Sequence, residues 1–181
     1  ALDYGLDMTA CLWLAVSPDK RIYVYRELYE SGLLLSEAAE RIVSLTPRDE
    51  SIRYTVASPD LWNRRQESGK SGAEIMTAHG LLGLKKADNA RITGWRVVRE
   101  YLKDGEDGKS RVCIFRCCEN LLRCLPLLRF DDTVREDAAD TPHEITHAPE
   151  ALRYALMSRT PKTDAVSKKA PSFFYSFEGK Q

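Results

Sequence analysis

Acidic side chains stand at three separated points of the chain, each where the local pattern predicts the end of a strand or the start of a helix. Asp3 lies near the first residue, Asp60 follows a strand-like run, and Glu150 comes three residues after His147. Carboxylates that a fold brings together, without a cluster of thiolates or imidazoles, suit a hard divalent cation such as Mg²⁺. The pattern therefore favours metal-assisted cleavage of a phosphodiester.

The elements that would position these side chains alternate between strand-like and helical segments. β-Branched and aromatic residues mark the strands, apolar residues three and four apart mark the helices, and Ser36 is the predicted N-cap of the first helix. The predicted order, β-β-β-α-β-α-α-β-α-α, favours an α/β fold in which a mixed sheet has helices on both faces. The predicted strands are 1–4, 10–16, 21–29, 52–57 and 111–115, and the predicted helices are 36–45, 73–79, 91–102, 119–128 and 149–158.

Length and composition favour one globular domain. The chain has 181 residues, of which 43% are hydrophobic and 30% are charged, and this is enough chain for a buried core. The sequence predicts neither a membrane span nor a signal peptide. Because the chain starts without Met and within a predicted strand, we expect it to be a fragment of a longer protein.

The charge balance excludes a uniformly basic nucleic-acid binder but leaves room for a local binding patch. The chain carries 27 basic and 27 acidic residues, so its net charge is zero. A basic loop close to Asp60 would either follow the phosphate backbone of DNA or be a solvated surface loop. Its members are Arg64, Arg65 and Lys70, and a second basic patch is predicted at Lys85, Lys86 and Arg91.

The five cysteines favour reduced thiols of a cytosolic protein. Their number is odd, and they lie within apolar segments. Four of them fall close together, but their spacing lacks the paired C-x-x-C units of a structural zinc site, so buried apolar cysteine is the favoured interpretation. These four are Cys113, Cys117, Cys118 and Cys124.

Three segments of the sequence resemble the C-terminal nuclease domain of the large terminase subunit of tailed bacteriophages. The first is 2–10, with Asp3 at the position of the family's first metal-binding aspartate; the second is 57–60, ending in Asp60. The third runs through 147–155, where the family usually has Asp-His-x-x-Asp-Ala-Leu-Arg-Tyr. This chain has Thr146 in place of the first Asp of that pattern and Glu150 in place of the second. The resemblance covers residues 1–158, the expected nuclease domain, and leaves 159–181 as a tail.

The resemblance implies an RNase H-like fold and hydrolysis that uses Mg²⁺ or Mn²⁺, with two ions as the expected number. Asp3 would bridge the ions, and Asp60 and Glu150 would complete the ligand set. Asp7 is either a further ligand or a residue that caps the following turn. His147 would hold a metal ion or donate a proton to the leaving group, and its alternative is a local hydrogen bond at the helix start.

The function implied by the resemblance is endonucleolytic cleavage of concatemeric double-stranded viral DNA with little sequence specificity. Its partners would be the N-terminal ATPase domain of the same subunit, the portal protein and the small terminase subunit, all in the bacterial cytosol. Two alternatives stay open. One is another RNase H-like nuclease, such as a resolvase or a ribonuclease H, and the other is a non-catalytic module that clamps DNA or docks on the portal.

Overall fold

A single six-stranded sheet with helices packed on it makes up the part of the chain that the computed structural model describes, residues 1–66 and 68–159. Most of the predicted tail, from residue 160 onward, lies outside the described residues. The strands are β1 Leu2–Tyr4, β2 Thr9–Val16, β3 Ile22–Glu30, β4 Thr55–Ala57, β5 Leu84–Lys86 and β6 Val112–Ile114. The helices are α1 Leu35–Leu45, α2 Gly72–Ala78, α3 Arg91–Leu102, α4 Glu119–Cys124 and α5 His147–Met157, with 3₁₀ turns at Pro59–Trp62, Leu125–Leu127 and His143–Ile145.

The strand order is β5-β4-β1-β2-β3-β6, and the sheet is mixed. β2 pairs antiparallel with both β1 and β3, whereas β4 pairs parallel with β1 and β5, and β6 pairs parallel with β3. Because β1 and β4 run side by side in the same direction, the loops that follow them leave the sheet at the same edge. This places Asp3 and Asp60 at neighbouring strand ends.

The residues of β2 alternate between two hydrophobic cores, one on each face of the sheet. Cys11 and Trp13 pack with α1 and α2, while Ala10 and Leu12 pack with α3 and α5. Such alternation follows from the two-residue period of a strand. The predicted α/β fold, a mixed sheet with helices on both faces, is therefore confirmed.

The helix α5 is buried on almost every side and runs through the second core. Its residues from His147 to Leu156 are all buried, and it contacts β1, β2, β4 and α3. A helix enclosed all round is expected to be apolar all round. Its polar residues are therefore the exceptions that need a partner, and they include His147, Glu150 and Arg153.

Three sequence predictions of local structure were wrong. β5 was not predicted, because two of its three residues are exposed lysines and it is defined by pairing with β4. Ser36 is not an N-cap: α1 begins at Leu35, after the N-cap Leu34. The helix predicted at 119–128 ends at Cys124, and the chain continues as a 3₁₀ turn that contains Pro126.

None of the helices in the described residues is long and apolar enough to cross a membrane.

Candidate active site

The start of α5 meets the strand β1 at the centre of the sheet. The Nδ1 atom of His147 lies 2.9 Å from Oδ2 of Asp3, although 144 positions separate the two residues. The His147 ring is buried, and the Asp3 side chain is largely covered. The fold thus brings together two of the predicted site residues, one from each end of the domain.

Asp7 approaches the other side of the same ring from the turn between β1 and β2. Its Oδ2 atom lies 3.2 Å from Nε2 of His147, and its side chain is 59% exposed. The exposed His143, one turn before His147, brings a ring nitrogen into the same space, so that ligand atoms of Asp7, His143 and His147 all lie within 4.8 Å of one another. We call Asp3, Asp7, His143 and His147 the imidazole cluster.

The charges of the imidazole cluster favour a positive ring. Burial alone would lower the pKa of His147, but the hydrogen bonds and negative charges of Asp3 and Asp7 outweigh it and raise the pKa. Slight burial would raise the pKa of Asp7, and its contact with His147 lowers it instead. Two carboxylates around one ring therefore create a place that stabilises a cation.

Glu150, one turn further along α5, faces two guanidinium groups. Its Oε1 accepts a hydrogen bond of 2.6 Å from Nη1 of Arg91, and its Oε2 accepts one of 2.6 Å from Nε of Arg153. Burial raises the pKa of Glu150 and the charge of Asp3 adds to the effect, although the two arginines oppose it. We call Arg91, Arg153, Glu150 and Asp137 the arginine clamp.

Arg153 is the fixed half of the arginine clamp. It is 0% exposed, lies against the ring of Trp95 and donates to Oδ1 of Asn89 at 2.7 Å. It fits because residue 94 of α3 is glycine, where a Cβ atom would come within 2.8 Å of two carbons of the Arg153 side chain. This close approach makes Gly94 part of the site's support.

Arg91 is the outer half of the arginine clamp and was predicted incorrectly as part of an exposed basic patch. Besides Glu150, it binds Asp137 through Nε at 2.9 Å and the carbonyl oxygen of Ala138 through Nη2 at 2.8 Å. The loop that contains Asp137 is thereby tied to the site. No local pattern indicated these partners, which lie 46 to 59 positions away.

Asp60 lies beside a small cavity next to β1. It follows β4 within the 3₁₀ turn Pro59–Trp62, is exposed, and lines a cavity of about 360 Å³ together with Tyr4, Gly5 and Arg65. Among the described residues, the three-membered group of possible metal ligands does not include Asp60, Glu150 or Asp3. A larger cavity of about 730 Å³ between β2 and β4 contains none of the predicted site residues.

The predicted DNA-binding residues lie on a tight exposed turn before α2. The backbone N–H of Arg65 donates to the carbonyl of Lys70 at 3.0 Å, and Arg64 pairs with Ser71 in an isolated bridge. Ser71 in turn caps α2, with the Glu74 carboxylate accepting from its backbone N–H at 2.6 Å. The turn presents its basic side chains to solvent on the side of Asp60.

His143 is the member of the imidazole cluster that the sequence reasoning missed. A signal was present: His143 and His147 are four residues apart, the spacing that places two ligands on one helical face.

The comparisons with known proteins give a fold. No protein-family model matches the sequence, and no curated protein matches it. The structure is similar to that of the P22 large terminase nuclease domain, with a TM-score of 0.66 and 18% identity over 87% of this chain and 78% of that one. It is also similar to the large terminase of a thermophilic bacteriophage, with a TM-score of 0.63 and 16% identity; the match covers 86% of this chain and 38% of that one. The chain therefore has the fold of a phage large-terminase nuclease domain.

Proposed function

We propose that this chain is a divalent-metal-dependent endonuclease that cuts double-stranded DNA, with little sequence specificity, during phage DNA packaging. The observation that carries the proposal is the 2.9 Å contact between His147 and Asp3, which joins the start of α5 to β1 within a fold similar to the P22 nuclease domain. A polar pair so largely enclosed at the end of a central strand is typical of a functional site.

The donor atoms around this contact fit a divalent cation. Carboxylate oxygens from Asp3, Asp7 and Asp60, with the His147 ring, are ligands that Mg²⁺ or Mn²⁺ accepts. In the proposed site Asp3, Asp60 and Glu150 hold two ions, with Asp7 as a further ligand. Such ions, when bound, activate a water molecule and stabilise the leaving oxygen.

The protein's own residues have separate tasks in this proposal. Asp3 accepts the Nδ1–H of His147 and so directs the ring's Nε2 atom towards the open side of the site, where it acts as a ligand or as the proton donor to the leaving oxygen. Arg153 holds the carboxylate of Glu150 in one orientation. Arg64, Arg65 and Lys70 bind the phosphate backbone, which carries no sequence information.

The biological setting in this proposal follows the similar terminases. The domain would act in the bacterial cytosol beside the ATPase domain of the same subunit, with the portal protein and the small terminase subunit as further partners. Cleavage would act on concatemeric viral DNA.

The experiment is cleavage of supercoiled plasmid by the purified protein with Mn²⁺, Mg²⁺ or EDTA. We expect metal-dependent nicking and linearisation that Asp3→Asn reduces at least about a hundredfold, because Asn keeps the shape and removes the charge. Asp132→Asn, at an exposed acidic position on a loop, is the matched control and should cut like the wild type. Cleavage that persists in EDTA, or that Asp3→Asn leaves intact, would refute the proposal. A Holliday junction and an RNA–DNA hybrid in the same assay separate a resolvase or a ribonuclease H from a packaging nuclease.

The second candidate is a non-catalytic DNA-binding module. It is favoured by Glu150, whose two carboxylate oxygens both accept hydrogen bonds from arginines. Salt-dependent DNA binding that falls on neutralising Arg65 and Lys70, by a slope of about one unit per phosphate contact, is expected in either case. Such binding by a folded wild type that does not cleave under any metal would establish this candidate.

A further inference from the structure

The imidazole cluster contains a set of side chains arranged like the ligands of one ion. Asp7, His143 and His147 each offer a ligand atom, and these atoms all lie within 4.8 Å of one another. His147 is buried and holds the group in place, while Asp7 and His143 are exposed. The group is therefore both fixed by the fold and open to an ion from solvent.

The local sequence explains why the two histidines converge. His143 begins the 3₁₀ turn His143–Ile145, and His147 is the first residue of α5, with Thr146 between them. Four positions of helical backbone bring side chains to the same face, and the centres of the two rings are 6.4 Å apart. The residues 143–147 also have the H-E-x-x-H spacing of zinc peptidases, where it serves to place two ligands.

The distances around His147 fit a bound ion. Ligand atoms on a tetrahedral ion with bonds of about 2.0–2.1 Å are about 3.3 Å apart, and Nε2 of His147 lies 3.2 Å from Oδ2 of Asp7. On the far side of the ring, Nδ1 lies 2.9 Å from Asp3, and a carboxylate in that place commonly orients a metal-binding histidine. Asp3 would then hold the ring that holds the ion.

A glycine makes this geometry possible. A Cβ atom at residue 5 would collide with Oδ1 of Asp7 and come within 3.1 Å of Cε1 of His147. The turn that carries Asp7 reaches the ring because residue 5 has no side chain.

We propose that Asp7, His143 and His147 bind one transition-metal dication, Mn²⁺ or Zn²⁺, in preference to Mg²⁺. Two imidazole nitrogens favour these ions, because Mg²⁺ selects oxygen donors and usually keeps several of its waters. The inference rests on the proposed function, since it assigns the ion class and a third ligand, His143, to the same metal-dependent site. Three protein ligands leave at least one position for water or a phosphate oxygen.

The test is calorimetric titration of the EDTA-treated, dialysed protein with Mn²⁺ and with Mg²⁺, in the absence of DNA. Mn²⁺ is the probe because thiols such as the exposed Cys117 prefer softer ions. We expect Mn²⁺ to bind more tightly than Mg²⁺ by about tenfold or more, and His143→Ala to weaken Mn²⁺ binding by about tenfold or more. Asp7→Asn, at an exposed position that tolerates substitution, should have a similar effect.

The remaining histidine provides the control. His79 is exposed and pairs with Glu40, so His79→Ala should bind Mn²⁺ like the wild type. Equal Mn²⁺ affinity in wild type and His143→Ala, or equal affinity for Mn²⁺ and Mg²⁺, would overturn the inference.

The two proposals fail in different ways. Mn²⁺ binding that depends on His143, without plasmid cleavage under any metal, would sustain the metal site and remove the nuclease. Metal-dependent cleavage with no loss of Mn²⁺ binding in His143→Ala would sustain the nuclease and remove this metal site.

Discussion

The first two turns of α5 present two polar groups that the fold treats in opposite ways. In the arginine clamp, Glu150 and Asp137 meet two guanidinium groups, so the charges cancel within a largely buried network. In the imidazole cluster, Asp3 and Asp7 meet a histidine ring at 2.9 and 3.2 Å. The clamp supplies its own cations, whereas the cluster obtains positive charge from a proton or from a metal ion.

This difference separates support from exchange. A buried ion pair whose partners are fixed holds one geometry, and removal of one partner leaves an uncompensated charge. A cluster with surplus negative charge at a partly exposed place can take up and release a cation. We therefore expect the clamp to determine stability and the cluster to determine the response to pH and metal.

The largest effect is expected from Arg153→Met. The variant keeps much of the side-chain volume but leaves Oε2 of the buried Glu150 without its guanidinium, and we expect a loss of about 3–5 kcal/mol in the free energy of unfolding. Urea denaturation measures it. Arg96→Met, which removes an exposed pair with Glu136, is the control and should change stability by less than about 1 kcal/mol. If the two variants were equally stable, the clamp would not be a support.

A smaller loss is expected from Arg91→Gln. Arg91 is 31% exposed, so water can replace part of what its guanidinium gives to Glu150 and Asp137. We expect about 1–2 kcal/mol by the same denaturation, below the value for Arg153→Met. The reverse order would mean that the outer arginine, not the buried one, carries the clamp.

Gly94→Ala should weaken the clamp indirectly. The new methyl group would crowd the Arg153 side chain at 2.8 Å, and the strain should exceed the gain of roughly 1 kcal/mol from the better helix former. We expect a net loss of about 1 kcal/mol, seen as a lower melting temperature. Gly105→Ala, in a loop where the Cβ atom has at least 3.4 Å of space, should melt with the wild type.

The smallest effect, and the one specific to the imidazole cluster, is a pH dependence of stability. Because the folded pKa of His147 is raised, its protonation stabilises the fold fully below the unfolded value of about 6.5, and this contribution is lost as the pH rises through the folded value. Unfolding free energies measured in EDTA across this range should fall with pH in the wild type. Asp7→Asn should fall less steeply; an unchanged slope would separate Asp7 from the His147 ring.

Periodic patterns predicted the elements that position the site, because those elements bury long regular faces. α3 was predicted at 91–102, the range it occupies, and α1 buries Leu35, Ala38, Ala39 and Ile42 in a helical stripe. β5 escaped prediction because three residues with two exposed lysines carry no apolar alternation.

The site was predictable in part for a different reason. Asp3 and His147 were chosen through a family resemblance, and the fold brings them into contact; local pattern could not have paired residues from the two ends of the domain. The partners of Glu150 were not predictable, because Arg91 reaches it across 59 positions and carries no local signal of burial. The roles proposed for Asp60, Arg64, Arg65 and Lys70 stay predictions.

The short strand β5 has a consequence for how the protein behaves at high concentration. It forms one border of the sheet, its Lys85 and Lys86 are exposed, and the Lys85 ammonium lies 4.4 Å from the centre of the Tyr54 ring. An open border of a sheet can template the addition of a strand from another molecule. Here two borders that met would bring four lysines together. Mutual repulsion should therefore oppose the growth of intermolecular sheets from this side.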